Sequence, residues 1–205
     1  VDNMLVQNRL PVWGAKRPDV LIWIGDRFDN SEHVLADSED SELASLLQKH
    51  SKIRGVPYML PLMDLKDTLE LSFSDIYGLF STDIENASER YFPDAILVGR
   101  MSGTIESASA DWMFLFKGER LRLPTVKGSL EEVITTGIDL VAQRLSEQYA
   151  LILDPLLMGT VSIKVNGIYS LKDFAALEDY LQGLNVITQV TVRKLKDSTV
   201  SVDID

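Results

Sequence analysis

Three charged side chains have the placement that a small-ligand site requires. Asp26, Asp64 and Arg100 each lie at the end of a short apolar run that predicts a β-strand. In parallel sheets, ligands bind outside the carboxyl ends of the strands, so these side chains are candidates to converge at one edge. The carboxylates would hold a small polar ligand or a divalent ion, with hydrolysis as an option, and Arg100 would contact an anionic group. In the alternative, Arg100 pairs with Asp26 or Asp64 and closes the edge as a structural salt bridge.

The sequence contains none of the compact catalytic or cofactor-binding motifs. Glycine-rich nucleotide loops and the zinc-protease, serine-hydrolase and EF-hand patterns are all absent. The segment 99–103 resembles a nucleophile elbow only superficially, because Ser102 is displaced from its centre. His33 and His50 have no second histidine or cysteine at a metal-ligand spacing, which favours surface or helix-end roles. We therefore predict no catalytic residue and no cofactor, and no metal ligand outside the alternative at Asp26, Asp64 and Arg100.

The three tryptophans are the other residues that could mark a binding surface. Trp23 and Trp112 lie inside predicted strands, which indicates core positions. Trp13 lies between Pro11 and Gly14, and two interpretations remain open. It could fix the turn that enters the first strand, or it could be an exposed anchor for a protein partner.

The elements that would position these residues are those of an α/β domain over residues 1–155. The runs 20–24 and 95–98 are apolar without alternation, which predicts neighbouring parallel strands covered on both faces. Prolines bracket the run 56–62, which favours an edge strand. Residues 26–42 are acidic and polar, and we expect an exposed loop there. The predicted order is βαβαββα, a three-layer domain with a mixed sheet in which an antiparallel hairpin is added to a parallel core.

Helix starts carry the clearest local signals. Ser72 and Asp75 form a capping-box pattern, as do Ser129 and Glu132. The first begins a predicted amphipathic helix over 74–91, which Pro93 ends. Its apolar residues recur every three or four positions and line one apolar stripe, and the helix leads into the strand 95–98.

A second, smaller domain is predicted over residues 159–205. The apolar segment 151–158, centred on Asp154 and Pro155, marks the boundary. Beyond it, strand, helix, strand and strand follow in order, with Ser170 and Asp173 capping the helix. This is the first part of a ferredoxin-like fold, in which the third strand lies between the first two. Because the last helix and strand of that fold are missing, we interpret the chain as a fragment whose targeting signal could have been removed.

Composition excludes several classes of partner. The net charge of -11 and the pI near 4.6 argue against binding to nucleic acid or to anionic lipid, which require clustered Lys and Arg. The absence of cysteine excludes disulfides and thiol catalysis. No apolar run approaches the ~20 residues that cross a bilayer. The oligomeric state is left open by the sequence.

One stretch carries a family resemblance. At PVWGAKRPDVLIWI, residues 11–24, the chain resembles an uncharacterised family of proteobacterial envelope proteins, domain of unknown function number two thousand and sixty-six. The segments LPLMDL (60–65), SDIYGLF (74–80) and 88–100 fit the same family. Members carry a signal peptide, so the resemblance implies the periplasm or the outer envelope. It transfers no activity and no catalytic residue.

A weaker resemblance concerns the fold alone. Residues 74–145 are similar to periplasmic modules of the TolB amino-terminal and penicillin-binding-protein activator kind, which bind other proteins. Together these observations favour a non-enzymatic envelope module that acts through a protein partner. The alternative hypothesis is the small-ligand or metal-binding domain that uses Asp26, Asp64 and Arg100.

Overall fold

The computed structural model describes residues 17–28, 31–149, 159–182, 187, 189–196 and 198–204. They fall into two units: the first is 18–145, and the second contains Arg17 and the described residues from 146 onward. The predicted boundary at 151–158 lies outside the described residues. The division into domains 1–155 and 159–205 therefore stays a prediction.

A mixed sheet forms the centre of the first unit. Seven strands of the described chain build it: β1 (Val20–Phe28), β2 (Ser31–Val34), β3 (Tyr58–Met59), β4 (Ala95–Gly103), β5 (Ala108–Phe116), β6 (Glu119–Arg122) and β7 (Val126–Gly128). Their order is β2-β1-β4-β5-β6, with β3 on β1 and β7 on β5. Only β1 pairs in parallel, with β3 and β4, and the other pairings are antiparallel. The α/β class and the mixed sheet are confirmed.

The parallel pair of β1 and β4 lies at the middle of this sheet. Val20 aligns with Ala95, and the register continues without a break to Phe28 and Gly103. All of β1 from residue 20 to 26 is buried, because helices cover both faces. The lack of alternation in the sequence thus reflects a strand enclosed on two sides.

Helices lie on both faces of the sheet: α1 (Glu42–Arg54), α2 (Leu65–Glu70), α3 (Phe73–Tyr77), α4 (Ser81–Ser88) and α5 (Leu130–Tyr149). Ile76 of α3 and Ile84 of α4 pack with Leu21, Trp23 and other residues of one face. On the opposite face, the indole N–H of Trp112 donates to the Val133 carbonyl of α5. The three-layer architecture is therefore present.

The single helix predicted over 74–91 is wrong, since α3, α4 and a 3-10 turn (Glu89–Tyr91) occupy that range. The helix is interrupted at Gly78 and Leu79, where Leu79 has a left-handed backbone conformation with φ of 55°. This break rotates α4 relative to a continuous helix. As a result Ile76 and Ile84 are both fully buried, while Phe80 between them is half exposed.

The loop predicted over 26–42 also needs correction. β1 continues to Phe28 and forms a hairpin with β2, in which Asp26 aligns with His33. Polar residues suit β2 because it is an edge strand with one open side. The polar composition of residues 31–34 therefore did not indicate a strand.

The helix caps follow the sequence. Ser72 and Asp75 exchange side-chain bonds with each other's backbone N–H, and Ser129 and Glu132 do the same. Gly55 ends α1 in the left-handed conformation, with φ of 62°. These caps satisfy backbone groups that the first and last turns of a helix leave unpaired.

The second unit is a small antiparallel sheet with one helix. It contains β8 (Val161–Asn166), α6 (Leu171–Gln182), β9 (Val190–Lys196) and β10 (Thr199–Ile204), with the sheet order β8-β10-β9. The last strand lies between the other two, as the incomplete ferredoxin-like fold predicts. Leu181, Val200 and Val202 form its buried centre.

Trp112 is held between two glycines of the first unit. It is fully buried, as the sequence predicts for a strand tryptophan. A methyl group at Gly99 or Gly137 would lie 2.6 Å or 2.5 Å from atoms of its ring. These positions therefore require glycine for space, although neither has a positive φ.

We expect Gly137→Ala to destabilise the protein by about 1–3 kcal/mol, because the new methyl group overlaps a ring that cannot move away. This outcome opposes helix propensity, which favours alanine over glycine. Chemical denaturation measures the change. Gly159→Ala is the control, since no atom of the described residues lies within 4 Å of a methyl group there. Equal stability of the two variants would show that the Trp112 ring has room to shift.

Candidate functional site

Two of the three residues of the predicted ligand site, Asp26 and Arg100, lie on neighbouring strands of the central sheet. Asp26 and Arg100 lie inside β1 and β4, which run several residues further than predicted. Arg100 aligns with Gly25, and Asp26 aligns with Met101. Because side chains alternate along a strand, Asp26 and Arg100 project from opposite faces of the sheet. The prediction had placed Asp26 and Arg100 together because it assumed that β1 and β4 end at these residues.

Each of the three has a different partner among the described residues. Asp26 bonds His33, Asp64 bonds Arg90, and Arg100 bonds Asp111. Neither form of the prediction, a shared ligand or a salt bridge from Arg100 to Asp26 or Asp64, is supported by a described contact. The small-ligand site stays a prediction.

Asp26 belongs to a bridge of two carboxylates and one imidazole. His33 Nδ1 lies 2.8 Å from Asp26 Oδ2, and His33 Nε2 lies 2.8 Å from Glu39 Oε2. The Asp26 side chain is 6% exposed and that of His33 is 41% exposed. The bridge ties the β1–β2 hairpin to the segment that follows it.

The charges in this bridge are coupled. Burial acts to lower the pKa of His33, but the hydrogen bond to Asp26 and the charges of Asp26 and Glu39 outweigh it and raise that pKa. Burial raises the pKa of Asp26, and His33 opposes the rise. Since carboxylates occupy both ring nitrogens, His33 has no free nitrogen to accept a proton from a hydroxyl nucleophile. The arrangement is suited to an ion-pair bridge rather than to acyl transfer.

Asp64 is the N-cap of α2 and is part of a second network. Its carboxylate accepts two bonds from Arg90, and the same guanidinium also donates to Asp67. Asp67 is fully buried and accepts a further bond from the Tyr91 hydroxyl, which in turn accepts the Leu62 backbone N–H. The hydrogen bond from Arg90 holds the pKa of Asp64 well below its ordinary value. Burial and the bond to Asp67 raise the pKa of Tyr91 to about 12.

Arg100 pairs with Asp111, its cross-strand neighbour on β5. The bond from Arg100 Nε to Asp111 Oδ2 is 2.7 Å, and Thr125 donates to the other oxygen at 2.6 Å. Burial acts to raise the pKa of Asp111, but the bonds from Thr125 and Arg100 lower it. This contact joins β4, β5 and the segment before β7.

The second unit contains an open apolar groove that sequence reasoning missed. Its volume is about 420 Å³, and α6 and β9 form its walls. The lining includes Ile168, Tyr169, Leu171, Phe174, Val192 and Leu195. Tyr169 and Leu171 are each 84% exposed, and Leu195 is 64% exposed. A signal for the groove was present in the sequence. Apolar residues occur both at the start of α6 and in β9, and they are more numerous than so small a core can bury.

Several other expectations concern absences or undescribed positions. Trp13 lies outside the described residues, so its role as a wedge or a partner contact stays a prediction. Within the described ranges, no group of three His, Cys, Asp or Glu side chains could hold a metal ion. None of the helices described here is long and apolar enough to cross a membrane.

Comparison with known proteins gives only weak likenesses of fold. No family model and no curated protein matches the chain. The LpoB C-terminal domain from Salmonella enterica has a TM-score of 0.33 at 14% identity, covering 62% of this chain and 90% of its own. TolB from Acinetobacter baumannii has a TM-score of 0.31 at 11% sequence identity, and the match covers 66% of this chain and 29% of TolB. A competence-damaged protein (CinA) superfamily protein from Escherichia coli has a TM-score of 0.31 at 14% sequence identity, and the match covers 72% of this chain and 85% of that protein.

The bridge at His33 predicts a pH-dependent stability. His33 has a raised pKa in the folded state, so its contribution is complete below the unfolded value of 6.5 and is lost as pH rises through the higher folded value. The loss should be below about 1 kcal/mol, because the half-exposed ring is screened by water. Thermal unfolding between pH 6 and 9 measures it. The fall in unfolding temperature with rising pH should be smaller in His33→Gln than in the wild type. A parallel fall in wild type and His33→Gln would contradict the assignment.

Arg90→Met should lower the unfolding temperature more than Arg120→Met. Loss of the Arg90 guanidinium leaves the fully buried Asp67 carboxylate with the Tyr91 hydroxyl as its remaining described side-chain donor. Arg120 makes a comparable bond to Glu85, but the two side chains of this pair are 49% and 33% exposed, so water screens it. Calorimetry of the two variants tests the difference, and equal unfolding temperatures would show that the Asp64–Arg90–Asp67 network contributes no more than a surface pair.

Proposed function

We propose that this protein is a protein-binding module of the bacterial cell envelope, acting in the periplasm by contact rather than by catalysis. The observation that carries the proposal is the open groove between α6 and β9. Its exposed apolar residues are adjacent, and such patches mark interaction sites when they exceed the scatter expected on a surface. The periplasmic location rests on the family resemblance of residues 11–24, 60–65, 74–80 and 88–100.

The chemistry of the charged clusters agrees with a binding role. Each cluster pairs its acids and bases with one another, and the His33 ring has both nitrogens engaged. The groove, in contrast, offers apolar surface that water solvates poorly. Burying this surface against a partner would therefore be favourable.

Site-specific cross-linking in the full chain tests this function. We expect a photoreactive residue at position 171 to form one discrete adduct in a periplasmic extract, and the same residue at position 53 to form none. Ile53 is a suitable control because it is also apolar and 66% exposed, but lies on α1. The captured protein is then purified for a direct binding measurement.

The direct measurement decides whether the capture is specific. Leu171→Glu should weaken binding of the purified partner by at least about tenfold, as expected for a buried apolar contact. Ile53→Glu should leave it unchanged. Both side chains are exposed, so neither variant removes a core contact. Failure to find a discrete adduct, or equal affinity of the two variants, would refute the proposal.

A further inference from the structure

β9 is an edge strand of the second sheet. Among the described residues it pairs with β10 alone. Because the N–H and C=O groups of a strand point alternately to its two sides, about half of those in β9 point away from β10. An unpaired edge of this kind can accept a further strand from another chain.

The two faces of β9 differ in chemistry. Leu195 aligns with Val200, and Val192 aligns with Val202. The register shifts between Ser201 and Val202, so Val192 and Leu195 share the face that α6 covers and that forms the groove, although they are three positions apart. Lys194 aligns with Ser201 and lies on the opposite face, as does Lys196 by alternation. The register therefore gives β9 an apolar side and a basic side.

The basic side of β9 carries two lysines for which no ion pair is described. Arg193 bonds Asp203 of β10 and is already paired. For Lys194 and Lys196, no ion pair is found within the described part of the chain. Two lysines on one face of an edge strand repel a like edge and attract acidic side chains on an incoming strand.

We infer that β9 binds an extended segment of a protein partner, by strand addition, in which apolar and acidic side chains alternate. The inference rests on the proposed function and specifies the chemistry of the partner. The apolar set of the segment would enter the groove beside Leu195 and Val192. The acidic set would lie opposite Lys194 and Lys196, and the open backbone groups of β9 would pair with those of the segment.

Other occupants fit the observations less well. A second copy paired through the same edge would place lysines of one β9 beside those of the other, which is unfavourable. An amphipathic helix could fill the groove but would leave the open backbone groups of β9 without partners. A strand satisfies the groove, the backbone edge and the lysines together.

A synthetic peptide tests the inference on the full chain. The probe is a fluorescein-labelled peptide of seven residues, the length of β9, in which Val and Glu alternate. We expect saturable binding by fluorescence anisotropy that weakens as salt is raised, because exposed charge pairs are screened. A peptide with the same composition, methylated on alternate backbone nitrogens, should bind at least about tenfold more weakly because it cannot pair with an edge.

Matched protein variants locate the contact. Lys194→Glu combined with Lys196→Glu should weaken peptide binding by at least about tenfold. Lys164→Glu is the control, since Lys164 aligns with the same Ser201 but from β8, at the other edge of the sheet. All three lysines are exposed, so the folded state should be kept, and circular dichroism verifies it.

The outcomes separate this inference from the proposed function. Absence of saturable binding, equal binding of the methylated peptide, or equal loss with Lys164→Glu would overturn strand addition at β9. A discrete adduct at position 171 together with any of these results would keep the binding function and reject the strand. Loss of the adduct as well would reject both.

Discussion

The parallel pairing of β1 with β4 is the constraint on which the first unit depends. It runs for nine residue pairs through the middle of the sheet, and helices cover it on both faces. Each apolar residue of β1 is therefore committed to one of two cores by its position in the alternation. Leu21 and Trp23 face α3 and α4. The remaining strands extend this pair at its two sides, and α5 covers the face that holds Trp112.

The same alternation determines which charged residues can meet. Asp26 and Arg100 are close in register but are on different faces, so each bonds the residue that its own face provides. For Asp26 this is His33 on β2, and for Arg100 it is Asp111 on β5. Buried or half-buried charges need local partners, because an unpaired charge in the interior is costly. The ionic contacts of Asp26 and Arg100 thus follow from strand register and join neighbouring strands.

The two units differ in how completely they enclose their apolar residues. The first has helices on both sides of its sheet, whereas the second has one helix on a sheet of three described strands. A core that small leaves apolar side chains of α6 and β9 in water. The second unit is also nearly neutral, with five Lys and Arg against six Asp and Glu in residues 159–205, so the acidity of the chain belongs mainly to the first. The open apolar groove of the second unit is the property from which the binding function is proposed.

The sequence by itself determined the α/β class, the central parallel strands, the helix caps and the strand order of the second unit. These depend on local patterns: unbroken apolar runs, Ser-x-x-Asp or Ser-x-x-Glu spacings, and two-residue alternation. Only the tertiary structure decided that the helix over 74–91 breaks at Leu79, that 31–34 is a strand, and which carboxylate each base contacts. Those features depend on register and on which face each side chain takes, and a one-residue shift in register reverses the face. The groove was also beyond local reasoning, because whether a residue is covered depends on elements distant in the sequence.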